Sequence, residues 1–590
     1  KILGLVPLGT NWALLRGPAR PLKCPTSAIV INDHRFPFPL LTSPFAIAIT
    51  MAFWCRAVSL TALAVTSVLA APGACQAHPA PPSVTVEQGA INGFVQNDTD
   101  VFLGIPFAET TAGENRWKAP KPISSFSNGR FEATSYGPSC AQVMSGNAIT
   151  GQSEDCLSMN IWTPREARGR RLPVFVYIYG GAMVTGGSSN AQWQGFNMAR
   201  NDVIYVNFNY RESIYASPNA PELQGDSQNF GILDVELAME WIHNNIEAFG
   251  GDKSRIVLGG HSSGGVHVDH YLWNHPKTFL AGAIEMSANA QSGPAYAPSG
   301  VALKQVVQDM LDAGVALDCT AENYTLDCLR AVNTYSFQTT PFNATTNTWF
   351  SPSVDEITRF SNYTERFVNG QYPTSLPVIV GNSDQEGEIF GYVYGSENTN
   401  FSSWIRTFDA DIAFVPEEEL LSAYDESDYS SVSQMSGASY GDARFLCATD
   451  AFLDLRAAKQ PTWIYRWFGN YSNVLPIPDL GPSHGSEVPF FHGGNECFSL
   501  LDDVTAAEQQ LADYMLSWFV AWIKNPRAGP GWEQAAPFNG PLARVGVPDH
   551  EEEIVISRTG EYNNRCQNVY RPNYPRYPVV QNPVSLGGNV

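Results

Sequence analysis

Gly260-His261-Ser262-Ser263-Gly264 is the segment of this chain best suited to chemistry. A serine hydroxyl attacks a carbonyl only when a base takes its proton and a third group orients that base. Gly-x-Ser-x-Gly alone is a common pattern and also fits an inert glycine-rich turn. Here it follows the apolar run Arg255-Ile-Val-Leu258 and precedes a helical stretch. That is the setting of a strained strand-to-helix elbow with Ser262 at its apex. Acyl transfer also needs N–H donors preset around the oxygen on which negative charge develops. Tyr179-Gly180-Gly181-Ala182 ends another apolar run and can expose consecutive amides. Gly181, Ala182 and Ser263 are the expected donors of this oxyanion hole. Ser263 gains from lying in the first turn of a helix, where free N–H groups and the dipole favour an anion.

The elbow predicts the chain order serine, acid, histidine. At a useful distance beyond Ser262 lie His484, His492 and His550. His484 sits in Gly481-Pro-Ser-His-Gly485, a loop after a strand, as a base at a sheet edge requires. His492 is the runner-up, and His550 falls in an acidic stretch. For the acid, Asp384 and Glu386 both lie just past the apolar run Leu376-Pro-Val-Ile-Val380. His267, Asp269, His270 and His275 cluster after the elbow but lack clear metal-ligand spacing, so no metal is expected. No Gly-x-Gly-x-x-Gly fingerprint follows a strand, and no cofactor is expected.

These residues need elements to hold them. Leu172–Tyr179, Asp202–Asn207, Arg255–Leu258, Leu376–Val380 and Thr462–Trp467 read as buried strands. Phe230–Phe249 carries apolar residues at helical spacing and stops at Gly250-Gly251. Ala506–Ile523 is a helix with a wide apolar face, ending before Pro526. Strands alternating with helices predict an α/β fold, a mostly parallel central sheet with helices on both faces. No linker interrupts the pattern, so one domain is expected over 78–590.

The chain has 590 residues and a formal charge of −22, with 44% hydrophobic and only 16% charged residues. Such a composition builds a large core. Its acidity argues against a nucleic-acid partner. Met51 opens a secretory signal pattern: Arg56, the apolar run Ala57–Leu69, then small residues. Residues 51–77 are therefore expected to be a signal peptide, and 1–50 a disordered, non-native upstream extension. The apolar run is too short for a bilayer, so no stable membrane insertion is expected. Secretion permits disulfides among the seven cysteines beyond residue 77. Six sequons, at Asn97, Asn323, Asn343, Asn362, Asn400 and Asn470, fit glycosylated surface loops.

Taken together, the landmarks resemble the type-B carboxylesterase/lipase family, α/β-hydrolases that include cholinesterases and secreted fungal lipases. They are Phe102–Ala108 with Arg116-Trp117, Ser153–Asn160, Tyr179–Ala182, Val206–Arg211, Asn229–Asp234, Trp241, Asn245-Ile246, Phe249–Asp252 and the elbow. The resemblance implies Glu386 as the acid, because it directly precedes Gly387, and His484 as the base, in His484-Gly-Ser-Glu487. It implies disulfides Cys140–Cys156, Cys319–Cys328 and Cys447–Cys566, leaving Cys497 free or paired with Cys75. Ser287 matches a serine that supports the acid from behind. Two departures stand out: Ala182 replaces a glycine whose amide is what matters, and His261 precedes the nucleophile where the family often has Glu or Gln. A packing role is expected for His261. The loop between Cys140 and Cys156 is short, half polar and without aromatics, which disfavours both interfacial activation and cation–π binding of a quaternary ammonium. The expectation is a secreted, glycosylated serine carboxylesterase acting on small-molecule esters. A lipase acting on acylglycerols is the alternative, and a non-catalytic binding domain a remoter one. The sequence carries no signal of oligomeric state.

Overall fold

A computed structural model of the chain describes residues 81–142, 151–292, 301–339, 350–395, 400–403, 415–474, 480–494 and 504–573. All of them belong to one compact unit, His78–Val590. The expectations for residues 1–77, for Asn343, for Cys75 and Cys497 and for most of the 141–155 loop lie outside the described residues.

Eleven strands form the main sheet. In chain order they are β1 (Phe94–Gln96), β2 (Thr99–Pro106), β3 (Ser158–Pro164), β4 (Leu172–Ile178), β5 (Ile204–Phe208), β6 (Gly251–His261), β7 (Gly282–Met286), β8 (Val378–Ser383), β9 (Thr462–Trp467), β10 (Pro541–Val545) and β11 (Val555–Arg558). They lie in the order β1-β2-β3-β5-β4-β6-β7-β8-β9-β10-β11. From β5 to β10 every pairing is parallel, while both margins are antiparallel. Every residue of β3, β4, β5, β7 and β8 is buried, so both faces of the sheet are covered. The chain has an α/β-hydrolase fold.

Local chemistry explains the covering helices. Helix α1 (Phe230–Asn245) runs into a 3₁₀ turn and stops where Gly250 turns left-handed at φ 93°. Helix α2 (Ser263–Asn274) starts directly at the elbow. Helices α3 (Glu388–Gly395), α4 (Val432–Gly441) and α5 (Cys447–Lys459) follow the acid segment, with a π-helical turn at Asp442–Leu446 joining α4 to α5. Helix α6 (Ala506–Lys524) opens with a Thr505/Glu508 capping box, and its Phe519 meets Phe175 of β4 edge-on, 5.1 Å between centroids. Among the described residues no helix is long and apolar enough to cross a membrane.

Buried ion pairs tie this frame together. Arg116 binds Glu154 through Nε at 2.8 Å and Nη2 at 2.5 Å. Arg211 binds Asp234 through Nε at 2.8 Å and Nη2 at 2.7 Å. Both are forked pairs whose remaining donors reach backbone carbonyls, which is how a buried charge stays satisfied. Disulfides join Cys140 to Cys156, Cys319 to Cys328 and Cys447 to Cys566.

Candidate active site

Strand register gathers the site. Ile178 of β4 pairs with Gly260 of β6, His261 with Met286 of β7, and Met286 with Gly381 of β8. The carboxyl ends of four parallel strands therefore lie side by side. At that edge stand Tyr179–Ala182, Ser262, Ser287 and the 383–386 turn. A further parallel bridge, Gln385 to Ser483, lays the His484 loop beside the acid segment.

Ser262 has φ 56° and ψ −127° and is the residue before α2, the strained turn expected of the elbow. Its N–H donates to the Met286 carbonyl at 2.8 Å. The turn is tight enough that a Cβ at Gly264 would lie 2.1 Å from the Ile178 carbonyl oxygen. Ala182 also adopts a left-handed conformation, φ 57°, where an alanine costs about 1 kcal/mol. Two hydrogen bonds onto the Gly181 carbonyl, from the N–H groups of Val184 and Thr185, hold this turn. Gly181 and Ala182 donate to no acceptor among the described residues, and Ser263 is the first residue of α2, where no helical acceptor exists.

His484 Nδ1 meets Glu386 Oε2 at 2.5 Å, with both side chains buried. Glu386 Oε1 accepts the Ser383 N–H at 2.8 Å and the Asn382 amide at 3.1 Å. His484 Nε2 is buried and has no hydrogen-bond partner among the described residues, the Ser262 hydroxyl included. Burial holds the imidazole neutral, well below the ordinary histidine value. Phe445 lies 4.3 Å and Phe390 5.4 Å from the imidazole centroid. Phe445 comes from the π-helical turn. It clusters with Met183, Val266 and Ala288, and Phe390 and Tyr440 pack against them, giving an apolar wall.

The other candidates sit elsewhere. Asp384 pairs with Arg466 at 2.8 Å. His492 is a core residue, with Nδ1 on the Val488 carbonyl at 2.9 Å and Nε2 at 3.0 Å from the Tyr205 hydroxyl. His550 pairs with Glu553 on the surface. Asp269 serves Arg456, Tyr372 and the Ala290 N–H, while His270 faces Tyr363 and His275 lies near Glu236.

Glu487, three places after His484, carries no signal of a role in the sequence. Glu487 is fully buried and accepts from Ser287 at 3.1 Å and Ser383 at 3.0 Å. Ser287 thus bonds Glu487 and lies within reach of Glu386. Burial raises both carboxyls above the ordinary value, and the charge of Glu386 raises Glu487 further. The two carboxyls titrate as a pair, not singly. Glu386 is the better holder of the negative charge, because a backbone N–H, an amide and the imidazole all point at it; the proton belongs on Glu487. His261, expected to pack, lies 4.6 Å from the His484 ring with Nε2 4.0 Å from Glu487. Burial keeps it neutral too.

The sequence profile of the carboxylesterase family matches residues 80–559. The chain belongs to that family. Among relatives of this carboxylesterase, a chlorogenic acid esterase of Aspergillus niger is 26% identical over 473 residues, covering 76% of this chain and 83% of that protein. Secreted lipase 5 of Gibberella zeae is 28% identical over 515 residues, covering 78% and 88%. An acetylcholinesterase of Bungarus fasciatus is 27% identical over 490 residues, covering 76% and 78%. A solved PNB esterase shares the fold with a TM-score of 0.66 at 23% identity, over 82% of this carboxylesterase and 99% of that chain. The chain is a carboxylic ester hydrolase.

Proposed function

We propose that one domain, 78–590, hydrolyses soluble carboxylic esters through a Ser262–His484–Glu386 triad. The observation that carries this reading is the His484 ring: Nδ1 is held by Glu386 at 2.5 Å, and Nε2 is left unpartnered beside the elbow. Glu386 fixes the tautomer with the proton on Nδ1, so Nε2 can accept. Ser262 Oγ attacks the ester carbon as Nε2 takes its proton, and the amides of Gly181, Ala182 and Ser263 bind the oxyanion. The carbon–oxygen bond to the alcohol then breaks, and the alcohol leaves with the proton from Nε2. Water attacks the acyl-enzyme by the same route and frees the acid.

The wall of Met183, Val266, Ala288, Phe445 and Phe390 suits an apolar acyl group. The short, polar stretch between Cys140 and Cys156 supports soluble esters over an oil surface. We also propose that the enzyme is secreted and glycosylated. The signal pattern at 51–77, three disulfides and a relative named as a secreted lipase support export. Asn97, Asn323, Asn362, Asn400 and Asn470 are all exposed, as glycan acceptors must be. Purified enzyme should release p-nitrophenol from p-nitrophenyl butyrate, and Ser262→Ala should lose at least ~10³-fold of that rate. Folded enzyme that hydrolyses nothing would leave a binding domain. With tributyrin, the rate should level off below the solubility limit; a jump above it would assign a lipase.

A further inference from the structure

The oxyanion loop rests on a buried acid that the proposed reaction does not use. Glu212 is fully buried in the segment after β5. Its carboxyl faces the hydroxyls of Tyr179 and Tyr210, yet neither oxygen completes a well-aligned hydrogen bond among the described residues. The guanidinium next to it in the chain offers no help. Arg211 is closed on Asp234 of α1, and its third donor goes to the Lys118 carbonyl. Other neighbours of the tyrosines are Trp193, stacked on Tyr179, Asp234, which acts on Tyr179, Tyr177, which acts on Tyr210, the Ser263 hydroxyl, and His267 of α2, whose ring lies 4.5 Å from that of Tyr210. Burial keeps His267 neutral. Among the described residues no cation faces Glu212, and burial pushes its carboxyl well above the ordinary value.

This acid lies between the two grips on the oxyanion loop. On one side, Tyr179 begins the loop, stacks on Tyr210 at 4.7 Å, and receives the Tyr210 hydroxyl on its carbonyl at 2.9 Å. On the other, the N–H of Ser213 donates to the Met183 carbonyl at 2.6 Å. Ser263, the third expected donor, reaches Tyr210 through its hydroxyl. The hydroxyls of Tyr179 and Tyr210 thus face the Glu212 carboxyl at one end of the loop, and the backbone of the next residue, Ser213, holds the other end.

We propose that Glu212 is a positioning residue for the oxyanion hole: as a neutral acid it ties Tyr179 to Tyr210 and sets the Gly181 and Ala182 amides, and as an anion it opposes charge on the substrate oxygen. The inference rests on the hole assigned under the proposed function. Its pH signature follows in sign. The neutral form is the working form, so activity falls as alkaline pH removes the proton, and a residue that cannot ionise removes that fall.

The test compares wild type, Glu212→Gln and Glu212→Leu. It reads kcat/KM for p-nitrophenyl butyrate from about pH 6 to about pH 9.5, with binding of a trifluoromethyl ketone that forms a hemiketal on Ser262. Glu212→Gln should keep activity within about threefold near neutrality and lose the alkaline decline. Glu212→Leu should lose about tenfold or more in kcat and in ketone affinity while KM changes less than about twofold. An unchanged alkaline limb in Glu212→Gln overturns the inference, even if Glu212→Leu fails to fold. So does unchanged kcat and ketone affinity in a folded Glu212→Leu. Ser262→Ala separates the two layers: if it binds the ketone as wild type does, the triad reading has failed, and if it does not, only the role of Glu212 is at stake.

Discussion

Replacing Glu386 by glutamine alters one atom, and the bonds around it dictate the outcome. Oε1 accepts the Ser383 N–H at 2.8 Å and the Asn382 amide at 3.1 Å, while Oε2 meets His484 Nδ1 at 2.5 Å. Both donors on Oε1 are buried. A glutamine must keep its carbonyl oxygen toward them, because turning its NH₂ that way strands two donors at about 1–3 kcal/mol each. The NH₂ then faces Nδ1, which has to accept. The single proton of the neutral ring moves to Nε2, the atom that must receive the Ser262 proton. A wrong tautomer at this position costs about 10⁴-fold in kcat, about 5.5 kcal/mol of barrier. KM for p-nitrophenyl butyrate should barely change, since Glu386 is screened from substrate by the imidazole. Removing a buried charge should leave the melting temperature near wild type. Burst-free steady-state kinetics on a folded variant is the assay. A kcat within tenfold of wild type would refute the tautomer argument and the assignment of Glu386.

Three further outcomes follow from the packing. A Cβ at Gly387 would lie 1.6 Å from the Gly437 carbonyl oxygen, so Gly387→Ala should push Glu386 off the imidazole; about 3 kcal/mol of stability and at least ~10²-fold of kcat should be lost, by urea melts and kinetics. The Cys447–Cys566 disulfide spans 119 residues, and Cys447→Ala with Cys566→Ala should cost up to about 5 kcal/mol of loop-closure entropy in a urea titration of non-reduced protein. His492→Ala removes the ring that bonds the Val488 carbonyl and the Tyr205 hydroxyl and packs edge-on against Tyr177; the cavity and lost bonds should cost about 3 kcal/mol of stability and leave kcat within about threefold, which a dead but folded variant would contradict.

What was legible in the sequence is what local physics alone decides. The runs that form β4, β6 and β8 are apolar because both sheet faces are covered, and the elbow shows itself because a strained turn needs small residues at fixed offsets. Strand β3 was not legible. Ser-Met-Asn-Ile-Trp-Thr-Pro alternates without a clear period, since its buried Asn160 is satisfied from afar by the Gly104 N–H, Ser188 and Asn207. Nor was the choice between Asp384 and Glu386, two residues apart, open to spacing arguments. It depends on Arg466 of β9 claiming Asp384 at 2.8 Å, a contact across 82 residues.

The same reasoning explains why the groups that tune the site stayed hidden while its reacting groups did not. A nucleophile announces itself by its backbone, and a base by its loop. A tuning group is an ordinary Glu or His whose meaning comes from what surrounds it after folding. Glu487 matters because β7 and β8 bring Ser287 and Ser383 onto it; Glu212 matters because Arg211 is already spent on Asp234; His261 matters because the 484 loop folds back over it. In each case burial without a matching charge makes the neutral form the stable one. In the proposed mechanism the base becomes cationic in the transition state, Glu386 is the carboxylate that faces it, and burial keeps the other titratable neighbours uncharged. An additional anion at Glu487 would over-stabilise the resting imidazolium and take the base out of service, and an additional cation at His261 would oppose its formation. The proposed mechanism therefore requires that Glu386 alone carry the charge.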